Sequence, residues 1–308
     1  MEIVVTGGSG FLGTHLLNHP FFSDALAIGR SSTKGHAKFE KVSFSDEAKL
    51  FQLLDSKDIV IHLAGRAHVL NDTSPNKLNE YREINTTGVL NVAEQAARAG
   101  VKRFIFISTV KVLGEHSYLG HPFRYDSTPN PQDAYGTSKL EAEKGLAKIG
   151  INSSMEIVII RPPLIYGNGV KGNFANLMKL CQLSLPLPFG KINNIRSLVG
   201  VENLIDLIIV CSTHPNAKGR TFLVSDDQEI SSSELLKKLS EAGGYKCCIF
   251  NFPAKLLQYF FRFTFMQSTY HKLFGTLQVD IEFTKSVLNW VPPYDMKTSL
   301  EKCWKKIE

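Results

Sequence analysis

Near the amino terminus, Thr6-Gly7-Gly8-Ser9-Gly10-Phe11-Leu12-Gly13 sets three glycines, Gly7, Gly10 and Gly13, in a GxxGxxG pattern. A β-rich run, Ile3 to Thr6, precedes it, and an apolar-periodic stretch, Phe11 to Leu17, follows. Between a strand and a helix, such a pattern predicts a dinucleotide-binding turn. Gly7 permits the tight turn, Gly10 lets a pyrophosphate approach the backbone, and Gly13 lets the helix pack close to the strand. The start of the helix then offers unpaired N–H donors and partial positive charge to an anion.

The rest of the chain alternates in the same way. Ala25 to Ile28, Asp58 to Ala64, Arg103 to Ser108 and Glu156 to Arg161 read as strands, several of them almost continuously apolar. Runs of that kind suit strands covered on both faces. Val89 to Ala99, closed by Gly100, and Tyr135 to Leu146 read as helices. Strands alternating with helices predict an α/β fold: a Rossmann-type doubly wound parallel sheet with a smaller C-terminal substrate-binding lobe. Residues 1–165 are expected to form the NAD(P)-binding domain. Beyond Pro162-Pro163, breakers at Gly167, Gly169, Gly172, Pro186 and Pro188 cut the chain into short pieces. Residues 166–308 are therefore read mainly as the lobe. Within them, 196–225 (a strand around Ser197-Leu198-Val199 and a helix over Leu204 to Val210) are expected to return to the main sheet.

Composition excludes other classes. A chain of 308 residues with 43% hydrophobic and 21% charged residues is neither disordered nor fibrous. No apolar run reaches the length of about eighteen residues that a spanning helix needs. The opening residues lack a secretion signal, and five scattered cysteines form no CxxC, so a cytoplasmic location is expected, without a metal. Thirty-five basic residues against twenty-nine acidic give +6 without a long basic block, so no nucleic-acid partner is expected. His15 and His19 stand four apart without a third ligand and read as packing residues. The Phe-rich stretch 255–274 reads as a helix between lobe and core, with loose attachment to a membrane surface as the alternative.

Two further motifs carry chemistry. The end of the second strand, where an NAD site usually holds a carboxylate, reads Ile28-Gly29-Arg30-Ser31-Ser32. Arg30 with Ser31 suits a 2′-phosphate, so NADP(H) is the preferred cofactor and NAD(H) the alternative. Tyr135 and Lys139, four apart on a helix, share a face. A lysine ammonium beside a phenol is expected to lower a pKa that starts at about 10, fitting Tyr135 for proton exchange. Thr109, at the end of the preceding strand, is expected to hydrogen-bond the same substrate oxygen.

The glycine motif, His62-Leu63-Ala64, Asn85, Ser108-Thr109, Tyr135 with Lys139, and Arg161-Pro162 together resemble, in order, the extended short-chain dehydrogenases/reductases of the NAD(P)-dependent nucleotide-sugar epimerase/dehydratase family. The resemblance implies that Thr109, Tyr135 and Lys139 are catalytic. It implies that Phe11, Leu12, Leu63, Ala64, Asn85 and Pro162 line the cofactor with the glycines, Tyr135 and Lys139. It implies that Asn173 and Asn176 meet a substrate diphosphate, that Arg196 pairs with it, that Phe189 packs against uracil, and that Thr109 and Lys111 also contact substrate. A homodimer is likewise implied. The dehydratases carry Asp-Glu after the threonine; here Val110-Lys111 follows Thr109, so elimination is not expected. A second phosphate-binding arginine is implied near residue 270, where Tyr270-His271-Lys272 stands. Several segments are similar to a bacterial subgroup serving O-antigen and other surface polysaccharides. On that basis the expected activity is C4 reduction of a UDP-4-keto-6-deoxy-N-acetylhexosamine. The alternative is a UDP-hexose 4-epimerase, on UDP-glucose or UDP-GlcNAc, with tightly bound NAD. A non-catalytic nucleotide-binding protein is the third reading.

Overall fold

Among the described residues, three strands are buried at every position, which requires cover on both faces, and the computed structural model supplies it. The structure describes residues 1–33, 35–67, 76–253, 256 and 275–305. Its strands are β1 (Ile3–Thr6), β2 (Leu26–Gly29), β3 (Phe39–Lys41), β4 (Ile59–His62), β5 (Arg103–Ile107), β6 (Glu156–Arg161), β7 (Leu164–Tyr166), β8 (Pro186–Leu187), β9 (Arg196–Gly200), β10 (Arg220–Leu223), β11 (Glu229–Ile230) and β12 (Cys248–Ile249). Its helices include α1 (Phe11–Leu17), α2 (Glu47–Leu54), α3 (Lys77–Arg82), α4 (Gly88–Arg98), α5 (Ala134–Ile151), α6 (Asn173–Gln182), α7 (Val201–Thr213) and α8 (Ser232–Ala242). Two more follow, Glu282–Leu288 and Met296–Cys303.

Seven strands form one parallel sheet in the order β3-β2-β1-β4-β5-β6-β10. The chain leaves β1 toward one edge and returns to β4 on the other side, so the strand order reverses between these two. Ligands of open α/β sheets bind outside the carboxyl ends of the strands at such a reversal. Side chains alternate between the faces. Val4, Val60 and Phe104 pack with Leu50, Val89, Val92 and Leu146 on one side. Val5, Ile61 and Ile105 pack with Leu16, Leu204, Leu207 and Ile208 on the other. The Rossmann-type doubly wound sheet expected from the sequence is the fold observed.

The smaller layer has a core of its own, with Tyr166, Phe174, Leu198, Leu235, Leu239, Met296 and Leu300. There β9 pairs in parallel with β7 and antiparallel with β11, and β8 pairs with β12. The segment 196–225 crosses between layers: β9 joins the lobe's sheet, α7 covers the large sheet, and β10 forms its edge. Asp226 stitches the crossing, accepting from Tyr166 Oη (2.7 Å), Gly200 N (2.8 Å) and Asn203 Nδ2 (2.7 Å). The stretch 255–274, apart from Leu256, and with it Tyr270-His271-Lys272, lies outside the described residues. Among the described residues, no helix is long and apolar enough to cross a membrane.

His62 ends β4 fully buried, its ring 5.8 Å from Phe104, 5.6 Å from Phe44 and 6.1 Å from Phe106. Burial, with the nearby charge of Lys139, pushes its pKa from 6.5 down to about 3. Below pH 6.5 the unfolded chain takes a proton that the folded chain refuses, so this group's stability is lost as the pH falls from 6.5 toward 3. The slope approaches about 1.4 kcal/mol per pH unit. His62→Phe should therefore flatten the fall in unfolding free energy between about pH 6 and pH 4 by about 2 kcal/mol relative to the parent chain, measured by urea titration. Parallel curves for the two proteins would contradict a neutral buried imidazole.

Candidate active site

The glycine turn is shaped by contacts that a side chain would destroy. Gly7 has φ +73°, and a Cβ there would fall 2.5 Å from Ala64 N and 2.8 Å from the Leu63 carbonyl carbon. Leu63 N donates to Thr6 O (3.2 Å) and Ala64 N to Thr6 Oγ1 (3.3 Å), so the ends of β1 and β4 are knitted together. Gly10 precedes α1, and its N–H donates to Gly7 O (3.0 Å). A Cβ on Gly13 would press on the Gly7 carbonyl oxygen and lie 2.7 Å from Gly8 Cα. The helix therefore starts directly on the turn. Phe11 and Leu12 open it, and the N–H groups of a first turn have no partner within their helix. At the end of β2, Arg30 and Ser31 are exposed. A cradle closed to side chains, open N–H donors and a guanidinium at the second strand fit a dinucleotide with its diphosphate on the turn.

The catalytic candidates meet one strand further along. Thr109 follows β5 and is buried, while Val110 N donates to Pro162 O (3.0 Å) beyond β6. Asp133 caps α5 through Oδ1, which accepts from Gly136 N (2.6 Å) and sets Tyr135 in the first turn. Tyr135 is hydrogen-bonded to Thr109, and its ring lies 6.1 Å from Tyr81. Lys139, buried, donates to Ile107 O (2.9 Å) and stands 4.4 Å from the centroid of the Phe106 ring. Burial pulls Lys139 down to about 7, with Glu143 working against it.

The phenol departs from expectation. Burial pushes Tyr135 well above the usual tyrosine range, the charge of Asp133 and then Tyr81 add to this, and only the bond to Thr109 opposes it. The expected lowering by Lys139 is absent: desolvation dominates, and the Lys139 side chain is engaged by the Ile107 carbonyl.

The other expected residues sort by surroundings. Asn85 lies buried in a π-helical turn, Glu83–Thr87, between α3 and α4. It accepts from Arg66 N (2.7 Å) and donates to Arg66 O (3.1 Å) and Ser138 Oγ (3.1 Å), so it pins the loop after β4 to α5. Lys111 Nζ lies 2.5 Å from Asp133 Oδ2 and 3.4 Å from Glu115 Oε1. Asn173 opens α6, and Asn176 is exposed one turn on. Phe189 is buried in the lobe core, and its carbonyl accepts from Ser233 Oγ (2.5 Å). Arg196 opens β9 and donates to Gly275 O (3.2 Å).

Sequence reasoning missed a buried network behind the site. Arg161 binds Glu143 through both oxygens (3.0 and 2.5 Å), and Ser108 Oγ donates to the same carboxylate (2.5 Å). The available signal was a glutamate four residues beyond Lys139, on the buried face of α5.

Residues 3–225 match the NAD dependent epimerase/dehydratase family. The UDP-glucose 4-epimerase of Vibrio cholerae is 42% identical over 307 residues, covering 98% of this chain and 94% of that protein. The N-acetyl-alpha-D-glucosaminyl-diphospho-ditrans,octacis-undecaprenol 4-epimerase of Escherichia coli O157:H7 is 26% identical over 262 residues, covering 83% and 76%. The solved UDP-glucose 4-epimerase of Thermotoga maritima with UDP-glucose shares the fold, with a TM-score of 0.78 at 22% identity, covering 99% of this chain and 97% of that one.

Burial of Lys139 makes a further prediction. Between its depressed value, about 7, and 10.5, the unfolded chain holds a proton that the folded chain has released, so stability rises with pH across that window. The unfolding free energy of the parent relative to Lys139→Met should increase by about 3 kcal/mol from about pH 6 to pH 9. A constant difference would show that the ammonium is not desolvated.

Proposed function

This chain is an enzyme of the NAD-dependent epimerase/dehydratase family, and from that premise we propose that it is a UDP-hexose 4-epimerase, inverting C4 of UDP-glucose or UDP-GlcNAc. One observation carries the reading: Tyr135, on α5, is hydrogen-bonded to Thr109 at the end of β5, the strand beside β4, whose following residues Leu63 and Ala64 close on the glycine turn. In this reading Gly7, Gly10, Phe11, Leu12, Gly13, Leu63 and Ala64 hold the dinucleotide's diphosphate. Asn85 fixes the adjoining loop, and Pro162 and Lys139 face the nicotinamide end. The bound dinucleotide supplies a reversible hydride acceptor. For this, Tyr135 must first have lost its own proton to solvent; as the phenolate, its Oη would take the proton of the C4 hydroxyl as the C4 hydrogen leaves with its electron pair. Thr109 holds the same oxygen. Lys139, released from the Ile107 carbonyl, steadies the phenolate. Between the two hydride transfers the 4-keto sugar would turn over, and Tyr135 would return the proton to O4 of the inverted sugar, so no net oxidation results. Asn173, Asn176 and Arg196 are proposed to receive the substrate diphosphate, with Phe189 supporting the base pocket from within the lobe. The Vibrio cholerae relative supports epimerisation over the C4 reduction expected from the sequence.

Arg30 with Ser31 favours a second reading, reduction of a UDP-4-keto sugar by NADPH, because no carboxylate stands among residues 28–32. Product analysis separates the two. As an epimerase, the purified protein equilibrates UDP-glucose with UDP-galactose, or the corresponding N-acetyl pair, without net change in reduced-nicotinamide absorbance. Stoichiometric NADPH consumption on a UDP-4-keto-6-deoxy-HexNAc, with no epimer formed, would overturn this in favour of reduction. Tyr135→Phe should lose about 10²- to 10⁴-fold in kcat and keep dinucleotide binding. Unchanged turnover would remove the phenol from the chemistry.

A further inference from the structure

We propose that the Lys111–Asp133 ion pair is a positioning device: it clamps the loop bearing Thr109 onto the first turn of α5, and Lys111 is thereby not a ligand for substrate phosphate. The inference rests on the reading of Tyr135 as the proton-transferring group.

Asp133 works with both carboxylate oxygens. Oδ1 caps α5 at Gly136 N (2.6 Å), and Oδ2 takes the Lys111 ammonium (2.5 Å). The backbone of the same loop bonds back to Thr109, whose Oγ1 accepts from Lys111 N (3.3 Å). The loop also lies hard against the helix: a Cβ on Gly136 would fall 2.8 Å from Lys111 O. The cap, the ion pair and the glycine contact thus fix the loop against the helix, and the hydrogen bond between Thr109 and Tyr135 spans the same junction.

Charge argues against a contact between Lys111 and an anionic part of the substrate. The Lys111 ammonium is shared between Asp133 and, at 3.4 Å, Glu115. One cation between two carboxylates leaves a net negative cluster, which repels a diphosphate. The pair is only partly exposed, with side-chain exposures of 22% and 32%, so salt screens it less than a surface pair. Among the described residues, the groups acting on Tyr135 are Asp133 at the cap of its own helix, Tyr81 from α3 and Thr109 from the loop, with Lys111 and Glu115 reached through Asp133.

The test uses the dinucleotide-loaded protein and three variants: Lys111→Met, Asp133→Ser, which keeps a capping hydroxyl but loses the ion pair, and the double variant. Each single change should lower kcat about tenfold, with KM for UDP-hexose within about twofold, and the double variant should be no worse than the poorer single one. A raised KM with kcat preserved in Lys111→Met, or additive losses, overturns the proposal. A second readout needs no turnover: a fluorotyrosine incorporated at position 135 is titrated by fluorine NMR. Lys111→Met, leaving Asp133 uncompensated, should raise its apparent pKa, whereas Asp133→Ser should lower it. Shifts in one direction, or none, contradict the clamp. If Asp133→Ser fails to fold, Lys111→Met alone decides through the same titration. Should the parent protein fail to epimerise, the functional reading falls by itself, and the titration still tests the clamp.

Discussion

A gap too small for one methyl group, between Gly7 and the Leu63–Ala64 backbone, governs the geometry of the candidate site. It draws the ends of β1 and β4 together where the strand order reverses, and it lets α1 begin on the turn itself. The crevice, the open N–H groups and the level at which neighbouring strands end all follow from that approach. Thr109 is then delivered by β5, held to the end of β6 by Ser108 N on Ile160 O and Val110 N on Pro162 O, and Tyr135 by the capped start of α5, which Lys139 ties to Ile107 O.

Burial, more than pairing of charges, sets the protonation of the groups beneath this crevice. It holds Tyr135 protonated, pulls Lys139 toward neutrality and leaves His62 uncharged at physiological pH. A site prepared in this way costs the folded protein stability, and Lys139 recovers part of it from the Ile107 carbonyl and the Phe106 ring. Glu143, Arg161 and Ser108 form a second polar layer beneath, where a full set of partners lets a buried carboxylate persist.

Much of this was legible in the chain. Apolar runs marked β1, β4, β5 and β6, and the glycine spacing marked the turn, because both signals are local. That Tyr135 and Lys139 lie one turn apart on a single helix followed from their spacing. Other features depend on residues distant in sequence. Lys111 meets Asp133 across 22 positions, and Ser108 meets Glu143 across 35, with no periodicity to announce either. The end of α5 ran past the expected Leu146 to Ile151, since Gly150 does not stop a helix whose terminal turn packs through Ile149. Whether β9 joined the large sheet or the small one was a choice among long-range partners. The direction of the Tyr135 shift required knowing how deeply the hydroxyl sits.

The central claim, that a C4 hydrogen leaves and returns within one closed crevice while Tyr135 carries the proton, is tested most directly by an isotope. UDP-glucose deuterated at C4 is turned over in ordinary water, and the galacto product is isolated. The account requires the deuterium to be retained at C4 of the inverted sugar. Loss of the label to solvent would contradict it.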